Sequence, residues 1–404
     1  MAENILKPQI RFKGFTDSWE QRKVCEISNR FDNLRIPVSS SLRIEGETPY
    51  YGANGIQDYV DGFTHDGEFV LVAEDGANDL KNYPVQYVNG RIWVNNHAHV
   101  LQSNKENETL FLKYLINSAD IESLLVGGGR AKLNSEVLMN MDLIVPNKNE
   151  QKNISSLLIN FDSLITLHQR KYEKLQNIKK GLLEKMFPAG EECKPQIRFK
   201  GFTDSWEQYK FNQIMDTVTD FVAAGSFADM AENVVYESLP DYAQLVRTTD
   251  LKSNFSNNNF VYVNKKAFDF LWRVNLDTES IIMPNIGNCG EIYYVNQEIL
   301  PYKHNVLGPN AILVRSENQN NKFLSVSFLS DDFQRKLKLI VSPNGQTKFN
   351  KTELKTLDVI IPSVKEQIKV GTLFDSLDSL ITLHQRKCEK LINIKKALLE
   401  KMFC

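Results

Sequence analysis

The sequence lacks any long hydrophobic run. No apolar stretch of about 18 residues occurs, and the N-terminal residues MAENILKPQIRFKGF contain no apolar signal-peptide core. We therefore expect a cytoplasmic protein with no membrane segment. Cysteine is also scarce, because the 404 residues include five cysteines and no Cys-x-x-Cys pair. An odd number without metal-ligand spacing predicts reduced, structural thiols.

Signatures of catalysis are missing as well. The sequence has neither a Gly-x-x-x-x-Gly-Lys-Ser/Thr phosphate loop nor a Gly-x-Gly-x-x-Gly loop. It also lacks the Asn-Pro-Pro-aromatic stretch with which adenine methyltransferases hold a flipped base. His97 and His99 have no neighbouring cysteine or acidic residue in the sequence, so we interpret them as surface or core histidines rather than metal ligands. We expect a non-catalytic chain that binds no cofactor or metal of its own.

An excess of charge of one sign is absent too. The chain has 48 Lys and Arg against 50 Asp and Glu, a net charge of −2. This excludes a protein that simply coats nucleic acid, but it allows a sequence-specific binder with local basic patches. Apolar content of 42% and charged content of 24% are typical of a globular protein, and the length predicts two or three domains.

What the sequence does contain is two segments that each occur twice. SLITLHQRKYEKLQNIKKGLLEKMF occupies Ser163–Phe187 and returns with three substitutions in Ser379–Phe403. KPQIRFKGFTDSWEQ occupies Lys7–Gln21 and returns unchanged in Lys194–Gln208. The chain is therefore two halves, each with a head segment, a variable body and a long C-terminal segment.

Each long segment predicts a helix, since no proline interrupts it and Leu, Lys, Glu, Gln and Arg favour helix. Apolar or weakly polar residues alternate at spacings of three and four, which is typical of a coiled-coil seam. Twenty-five residues would span about 38 Å, close to one turn of DNA, so we interpret the helix as a spacer. The predicted seam residues are His168, Tyr172, Leu175, Ile178, Leu182, Met186, His384, Cys388, Leu391, Ile394, Leu398 and Met402.

The first long helix carries six Lys and Arg against two Glu, which gives it a charge of +4. This charge could lie along DNA and add affinity without specificity. We favour a face that contacts solvent or an acidic partner.

The bodies run from about Arg22 to Leu143 and from about Tyr209 to Val359, and they share little sequence until near their ends. There GGRAKLN and NGQTKFN align, followed by Ile/Val-Pro and by a Glu-Gln pair in each half. Strand-rich runs such as EFVLVAEDGAN and helical runs such as TLFLKYLINS predict mixed α/β bodies. A recent duplication of one scaffold is a less favoured explanation, because it would have left the bodies similar.

Two divergent bodies, each closed by these motifs and followed by a long helix, resemble the specificity subunit of type I restriction–modification enzymes. The resemblance implies an α+β fold: two mixed α/β target recognition domains separated by two long antiparallel coiled-coil helices, with an internal pseudo-twofold repeat. Each domain would read one half of a split double-stranded DNA sequence. The helices would set the half-site spacing and dock two methyltransferase (modification) subunits.

The resemblance also implies the rest of the complex. Restriction subunits, with endonuclease and translocase activity, would join the methyltransferase subunits, and S-adenosylmethionine, ATP and Mg would bind to these partners. The implied segments are the head 1–21, the first target recognition domain 22–146, the first spacer helix and linker 147–193, the second head 194–208, the second target recognition domain 209–362 and the second spacer helix 363–404.

DNA-contacting residues should be long polar or aromatic side chains on loops, next to glycines that let the backbone approach a ligand. The closing loops Gly129–Lys132 and Gly345–Lys348 are favoured because they recur, although Arg130 replaces the Gln346 of the second copy. For the other clusters, plain turns are an equal alternative. The candidates are Tyr50, Tyr51, Asn54, Arg91, Asn95, Asn96, His97, Arg130, Lys132, Arg247, Thr248, Thr249, Asn285, Asn288, Tyr302, Lys303, His304, Asn305, Gln346 and Lys348.

Two other functions stay open from the sequence. A stand-alone DNA-binding regulator with pseudo-twofold symmetry could use the doubled helices as an internal dimerisation device, and it would bind DNA tightly without partners. A nuclease–methyltransferase with unrecognised motifs would act on DNA when given Mg and S-adenosylmethionine.

Overall fold

The computed structural model describes residues 7–127, 131–190, 192–256, 258–342, 345 and 347–403. The chain folds into two compact units, residues 1–170 with 385–404 and residues 171–384. Each unit therefore combines a head, a body, the start of the long helix that follows that body, and the end of the other long helix. The division of the sequence into six consecutive segments stays a prediction.

In the part of the first unit that the structure describes there are eight strands and three body α-helices, and the first long helix begins in this unit. The strands are β1 (Glu20–Lys23), β2 (Ser28–Arg30), β3 (Glu45–Gly52), β4 (Gly55–Val60), β5 (His65–Ala73), β6 (Val85–Val94), β7 (Ala98–Ser103) and β8 (Asp142–Val145). The helices are α1 (Val24–Ile27), α2 (Thr109–Ser118), α3 (Ser135–Asn140) and the long α4 (Lys148–Lys185).

The described residues of the second unit form nine strands, seven body α-helices and the start of the second long helix. The strands are β9 (Glu207–Lys210), β10 (Thr217–Asp220), β11 (Ala243–Val246), β12 (Val261–Val263), β13 (Ser280–Pro284), β14 (Tyr293–Val295), β15 (Asn305–Leu307), β16 (Ala311–Arg315) and β17 (Asp358–Ile361). The helices are α5 (Phe211–Ile214), α6 (Phe227–Asn233), α7 (Thr248–Lys252), α8 (Lys265–Phe270), α9 (Asn321–Ser327), α10 (Asp331–Ile340), α11 (Lys351–Leu354) and the long α12 (Val364–Met402).

The sheets of the two bodies differ in size. The first body has a six-stranded sheet in the order β2-β7-β5-β6-β3-β4, whereas the second has a four-stranded sheet β10-β16-β13-β14 and a three-stranded sheet β12-β11-β15. In each body a short strand after the head pairs with the strand before the long helix, β1 with β8 and β9 with β17. These sheets and helices confirm the predicted mixed α/β bodies.

The bodies nevertheless share a central frame. Strand β5 lies antiparallel to β7, which pairs with β2, and β13 lies in the same way beside β16 and β10. Alternate residues of each central strand belong to different cores: Val70 packs in one core and Leu71 in another, as Ile281 and Ile282 do. Burial on both faces explains the continuous apolar runs FVLVA and IIMP.

The long helices are longer than the repeated segments. Helices α4 and α12 contain 38 and 39 residues, so each spans about 57 Å. The first turns belong to the bodies, because Ile154 and Leu158 of α4 are buried in the core of the first unit. Residues 159–185 remain, a length of about 40 Å, close to the length predicted for the spacer.

Ion pairs connect α4 with α12 in each unit. In the first unit Asp162 pairs with Lys395, and Cys388 Sγ lies 3.7 Å from Gln169 Oε1. The numbering rises along one helix as it falls along the other, so the segments are antiparallel. In the second unit Lys179 pairs with Asp378.

The predicted seam is wrong at two positions. Ile178 and Ile394 are 41% and 38% exposed, whereas the lysines that follow them, Lys179 and Lys395, are partly buried and hold the ion pairs. The other ten predicted seam residues are partly or fully buried. Apolarity alone therefore misplaced the seam where it contains a charge pair.

The head segments pack on the ends of the long helices. In the first unit the Ile10 N–H donates to the Lys401 carbonyl at 3.0 Å, and the Trp19 ring meets Phe403 edge to face at 6.3 Å. The second unit repeats these contacts. Ile197 donates to Lys185 at 2.9 Å, and Trp206 meets Phe187 at 5.8 Å.

The repeated Glu-Gln pair has a structural role. Glu150 and Glu366, each with a side chain at most 1% exposed, accept two hydrogen bonds from Arg11 and Arg198 of the heads. Gln151 connects the start of α4 to the body, because its side chain accepts from the Glu108 N–H at 2.9 Å and donates to the Pro146 carbonyl. Gln367 does the same in the second unit.

Candidate nucleic-acid interface

The closing loop of the first body rests on the turn that follows β5. Val126 and Lys132 exchange two backbone hydrogen bonds of 2.9 Å at the base of the loop. The Leu133 N–H donates to the Glu74 carbonyl at 2.7 Å, and the backbones of Asp75 and Lys132 form an isolated antiparallel β-bridge. Residues 128–130, which include the predicted Arg130, lie outside the described residues.

The second body supports its closing loop in the same way. Ser342 donates its N–H to the Lys348 carbonyl at 2.9 Å, and the Phe349 N–H donates to the Asn285 carbonyl at 3.1 Å. The turn that follows β13 also donates the Gly287 N–H to the Thr347 carbonyl at 2.8 Å. The predicted Gln346 lies outside the described residues. Lys348 is exposed next to this base.

In the first body three of the predicted DNA-contacting residues lie at the turn that follows β5. The Asn54 side chain donates to the Gly76 carbonyl and accepts from the Asn78 N–H, both at 2.9 Å. His97 Nδ1 lies 2.5 Å from Asp75 Oδ1. The structure therefore brings Asn54, His97 and Lys132 to one surface, although they are up to 78 positions apart. Asn96, next to His97 in the chain, is exposed.

Of the other predicted residues of the first body, Tyr50 and Asn95 are buried, whereas Tyr51 is partly exposed and Arg91 is exposed. Tyr50 is 1% exposed and its hydroxyl bonds to the backbone of Val38, so its prediction was wrong. Asn95 is 4% exposed and its side-chain oxygen accepts from the backbone of the His97 turn, so it is a supporting residue. Tyr51 packs partly buried beside the core, and Arg91 pairs with Asp66 at 3.4 Å, on the hairpin of β5 and β6.

In the second body Asn285 lies at the base of the closing loop, and Arg247 lies directly after β11. Arg247 binds Asp250 at 2.7 Å where α7 begins and stands beside Gly308, and the Asn285 side chain donates to the Phe349 carbonyl at 3.2 Å. The predicted Thr249 and Asn288 are exposed, and Thr248 is half-buried.

The predicted group Tyr302, Lys303, His304 and Asn305 lies elsewhere in the second body. Strands β11 and β15 are parallel, so residues before β15 lie with those before β11, at the opposite strand end from Arg247. There the His304 ring stacks on Tyr242 at 4.7 Å, and the Tyr302 hydroxyl donates to the Asp241 carbonyl at 2.5 Å. Lys303 is exposed, but Asn305 is 3% exposed, which contradicts its prediction as a DNA contact.

Asp32, Glu74 and His99 form a partly buried cluster of the kind that can hold a metal ion. Here His99 Nδ1 bonds to Asp32 at 2.7 Å and Nε2 to the Leu133 carbonyl at 2.9 Å, so both ring nitrogens are occupied. Arg35 and Lys132 pair with Glu74 at 2.7 and 2.9 Å. Two cations already neutralise the carboxylates, so the arrangement is an ion network rather than a metal site.

The network keeps its acidic groups ionised. Burial alone would raise the pKa of Asp32, but the hydrogen bond from His99 and the charge of Arg35 hold this pKa below its ordinary value. Burial would also raise the pKa of Glu74, but the hydrogen bonds from Lys132 and Arg35 outweigh this effect, so the pKa of Glu74 is lowered. The histidine partners were missed in the sequence, because Asp32 and Asp75 stand 67 and 22 positions from the rings they contact.

Comparison with known proteins decides the family. Residues 16–177 and 240–393 match the family model of the type I restriction modification DNA specificity domain. The chain belongs to this family.

The chain is similar to curated specificity subunits. A type I restriction enzyme specificity subunit (MjaVIII) of Methanocaldococcus jannaschii is 21% identical over 313 residues, which cover 74% of this chain and 70% of that protein. A Haemophilus influenzae protein assigned to the type I specificity subunits is 42% identical over 139 residues. That match spans 34% of this chain and 36% of the relative's length.

A solved structure shares the fold. The type I restriction–modification S subunit of M. genitalium is 17% identical, with a TM-score of 0.69 over 98% of this chain and 99% of that one. Each specificity-domain match in this chain includes a closing loop, the Glu-Gln pair and part of a long helix. The structure describes no helix that is both long enough and apolar enough to cross a bilayer.

Three residues of this interface escaped sequence reasoning: Glu74, Asp75 and Thr347. A signal was present, since EDGAN and NIGNC directly follow the apolar runs FVLVA and IIMP, and each contains a glycine with positive φ, Gly76 (71°) and Gly287 (82°). Only glycine adopts this conformation without strain, so both central strands end in a tight polar turn.

Proposed function

We propose that the chain is the DNA-specificity subunit of a type I restriction–modification complex and has no catalytic activity of its own. Each body reads one half of a split sequence in double-stranded DNA. One observation carries the proposal: both bodies support an equivalent closing loop on an equivalent turn, yet the side chains around the two turns differ. A shared frame with different side chains is what two half-sites of different sequence require.

Catalysis belongs, in this proposal, to partner subunits in the cytoplasm. Two methyltransferase subunits bind S-adenosylmethionine, and restriction subunits use ATP and Mg for translocation and cleavage. The described surface of this chain then needs only to hold DNA in register and to bind protein. The names of the relatives, which are specificity subunits of type I restriction enzymes, support this division.

Replacing Lys348 by alanine should weaken recognition of the second half-site only. Its exposed ammonium lies at the base of the closing loop, where it can contact a phosphate or a base edge. Loss of a base contact would relax one position by about 1–3 kcal/mol, whereas loss of a phosphate contact would weaken all sequences and reduce the salt slope by about one. Methylation by the assembled complex, measured on duplexes with single changes in either half-site, separates these outcomes.

The matched control is Lys266→Ala. Lys266 is also exposed in the same body but lies on α8, next to Lys265, whose ammonium lies over the Tyr242 ring and so away from the closing loop. The control should methylate as the wild type does. A wild-type complex that modifies a continuous rather than a split sequence would contradict the proposed function itself.

We further propose that the long helices space the half-sites and dock the methyltransferase subunits through a repeated apolar stripe. The same three positions are exposed in both helices by nearly equal fractions, with Leu167 at 45% and Leu383 at 44%. In each helix the three exposed residues are separated by 3 and 11 positions. At about 100° per residue they therefore project within an arc of about 60° around the helix axis, on one face. The stripe residues are Leu164, Leu167 and Ile178 in α4 and Leu380, Leu383 and Ile394 in α12.

Glutamate at Leu167 and Ile178 should remove one of the two methyltransferase subunits, and the same change at Leu383 and Ile394 should remove the other. These side chains are exposed, so the fold should survive, but an unpaired carboxylate would be buried at each interface at a cost of several kcal/mol. Native mass spectrometry counts the subunits, and Leu239→Glu, 76% exposed in the second body, is the control. Two subunits retained on the fourfold variant would exclude the stripe.

A further inference from the structure

Glu74 and Asn285 occupy equivalent positions in the two bodies. Each is the first residue after the central strand, and each accepts on its carbonyl the N–H of the residue that follows the closing loop, Leu133 or Phe349. Each also donates its own N–H across to the neighbouring strand, to His97 or Asn310. The backbone role is therefore identical, and only the side chains differ.

The Glu74 side chain is the centre of a charged network. Oε1 lies 2.9 Å from Lys132 Nζ and Oε2 lies 2.7 Å from Arg35, while the carboxylate is only 15% exposed. Arg35 continues to the Ala98 carbonyl at 2.9 Å, and His99 joins Asp32 to the Leu133 carbonyl. The ammonium and the backbone at the loop base are thus fixed by charge.

The Asn285 side chain supports the second loop base through neutral hydrogen bonds. Its Nδ2 donates to the Phe349 carbonyl at 3.2 Å, and the Thr347 hydroxyl donates to the Gly287 carbonyl at 2.7 Å. At the position of His99 the second body has Ile312, which is fully buried. Among the residues that the structure describes, none forms an ion pair with Lys348, whose side chain is exposed. The two loop bases are therefore supported by different chemistry.

We propose that Glu74 is a positioning residue for recognition of the first half-site. It fixes the side chain of Lys132 and the backbone at Leu133, so it sets the DNA-contacting geometry of the first body without touching DNA. Asn285 positions the second loop base through neutral hydrogen bonds. This inference rests on the proposed function, because it assumes that each closing loop serves its own half-site.

Glu74→Gln keeps the shape of the side chain and removes the charge that holds Lys132 and Arg35. In the complex with the methyltransferase subunits, discrimination against duplexes mismatched in the first half-site should fall about tenfold, in the range expected for one lost specific contact. Discrimination in the second half-site should stay unchanged. Asn285→Ala should produce the reverse pattern. A merely structural defect would lower methylation of every duplex and leave the ratio between the half-sites unaltered.

Two further variants test whether Glu74 acts through Lys132. Lys132→Met should fold normally, because the Lys132 side chain is 44% exposed, and it should lower discrimination in the first half-site as Glu74→Gln does. The double variant Glu74→Gln/Lys132→Met should lose no more discrimination than either single variant. Glu68→Gln, on the same strand but exposed, is the control. Equal loss of discrimination in both half-sites, or no loss, would overturn the inference. A wild-type complex without split recognition would instead overturn the proposed function.

Discussion

Replacing residues 22–143 by residues 209–359 should give a protein that recognises two copies of its second half-site. The substituted ranges end at equivalent points of the two halves, between strands that pair in the same way next to each long helix. The heads and the repeated parts of the long helices are almost identical, so the graft meets its usual partners there. The start of α4 differs, because Ile154 and Leu158 stand where the second body packs on Val370 and Phe374. The second body also brings Lys322, which would pair with Asp162 as it now pairs with Asp378.

Methylation sequencing of cells that carry the graft and the methyltransferase subunit measures this result. The original first half-site should disappear completely, and the remaining half-site should appear on both sides of the gap. The reciprocal graft, with the first body in both places, is the matched control and should give two copies of the other half-site. Retention of the original bipartite sequence would show that specificity does not reside in the bodies.

Arg198→Met should destabilise the second unit by about 3–5 kcal/mol, because it leaves a buried carboxylate without its partner. Glu366 is 1% exposed at its side chain and receives two hydrogen bonds of 2.7 Å from Arg198. For a unit of this size the loss corresponds to a Tm lower by roughly 6–20 °C. Thermal unfolding of the purified chain, followed by calorimetry, gives the shift.

The control for this prediction is Arg335→Met. Arg335 also binds a carboxylate, Asp332 at 2.6 Å, but Arg335 is 63% exposed and Lys336 pairs with the same carboxylate, so the loss should be at most about 1 kcal/mol. Adding Glu366→Leu to Arg198→Met should recover most of the lost stability, because the double variant no longer contains a buried, unpaired carboxylate. Equal effects of Arg198→Met and Arg335→Met would show that burial of the head contact has no energetic consequence.

The repeats made much of the architecture predictable. Identical segments at Lys7–Gln21 and Lys194–Gln208 imply identical contacts, and the structure shows them at Arg11 and Arg198. The helix starts were not predictable from repetition, because the residues before Ser163 differ from those before Ser379. The lysines in the seam were also missed, since a charge inside a helix pair is tolerated only with a partner that sequence spacing does not show.

The shared frame of the bodies could not be recognised from the sequence. Strands β5 and β13 have in common only that both faces are buried, and burial is satisfied by FVLVA as well as by SIIMP. Their pairing partners are non-local, so no short-range pattern specifies the sheet order.

The predictions of DNA-contacting residues failed where a residue was chosen for its polarity alone, without regard to the direction in which its side chain points from the strand. Tyr50 is in PYYGANG beside a glycine turn, but it is a strand residue that faces inward, opposite to its neighbour Tyr51. Asn305 is the first residue of a buried strand. The closing loops were predicted correctly as equivalent, because their lysines recur at the same offset as the helices.

The packing of each head on a helix end has a consequence for the order in which the protein can fold during synthesis. Trp206 meets a phenylalanine that was made 19 residues earlier, so the ribosome need not finish the chain before this contact forms. Trp19 must wait for Phe403, which is 384 residues away. Closing the larger loop costs about 3 kcal/mol more in chain entropy. The unit that emerges first from the ribosome is therefore the last to complete its core.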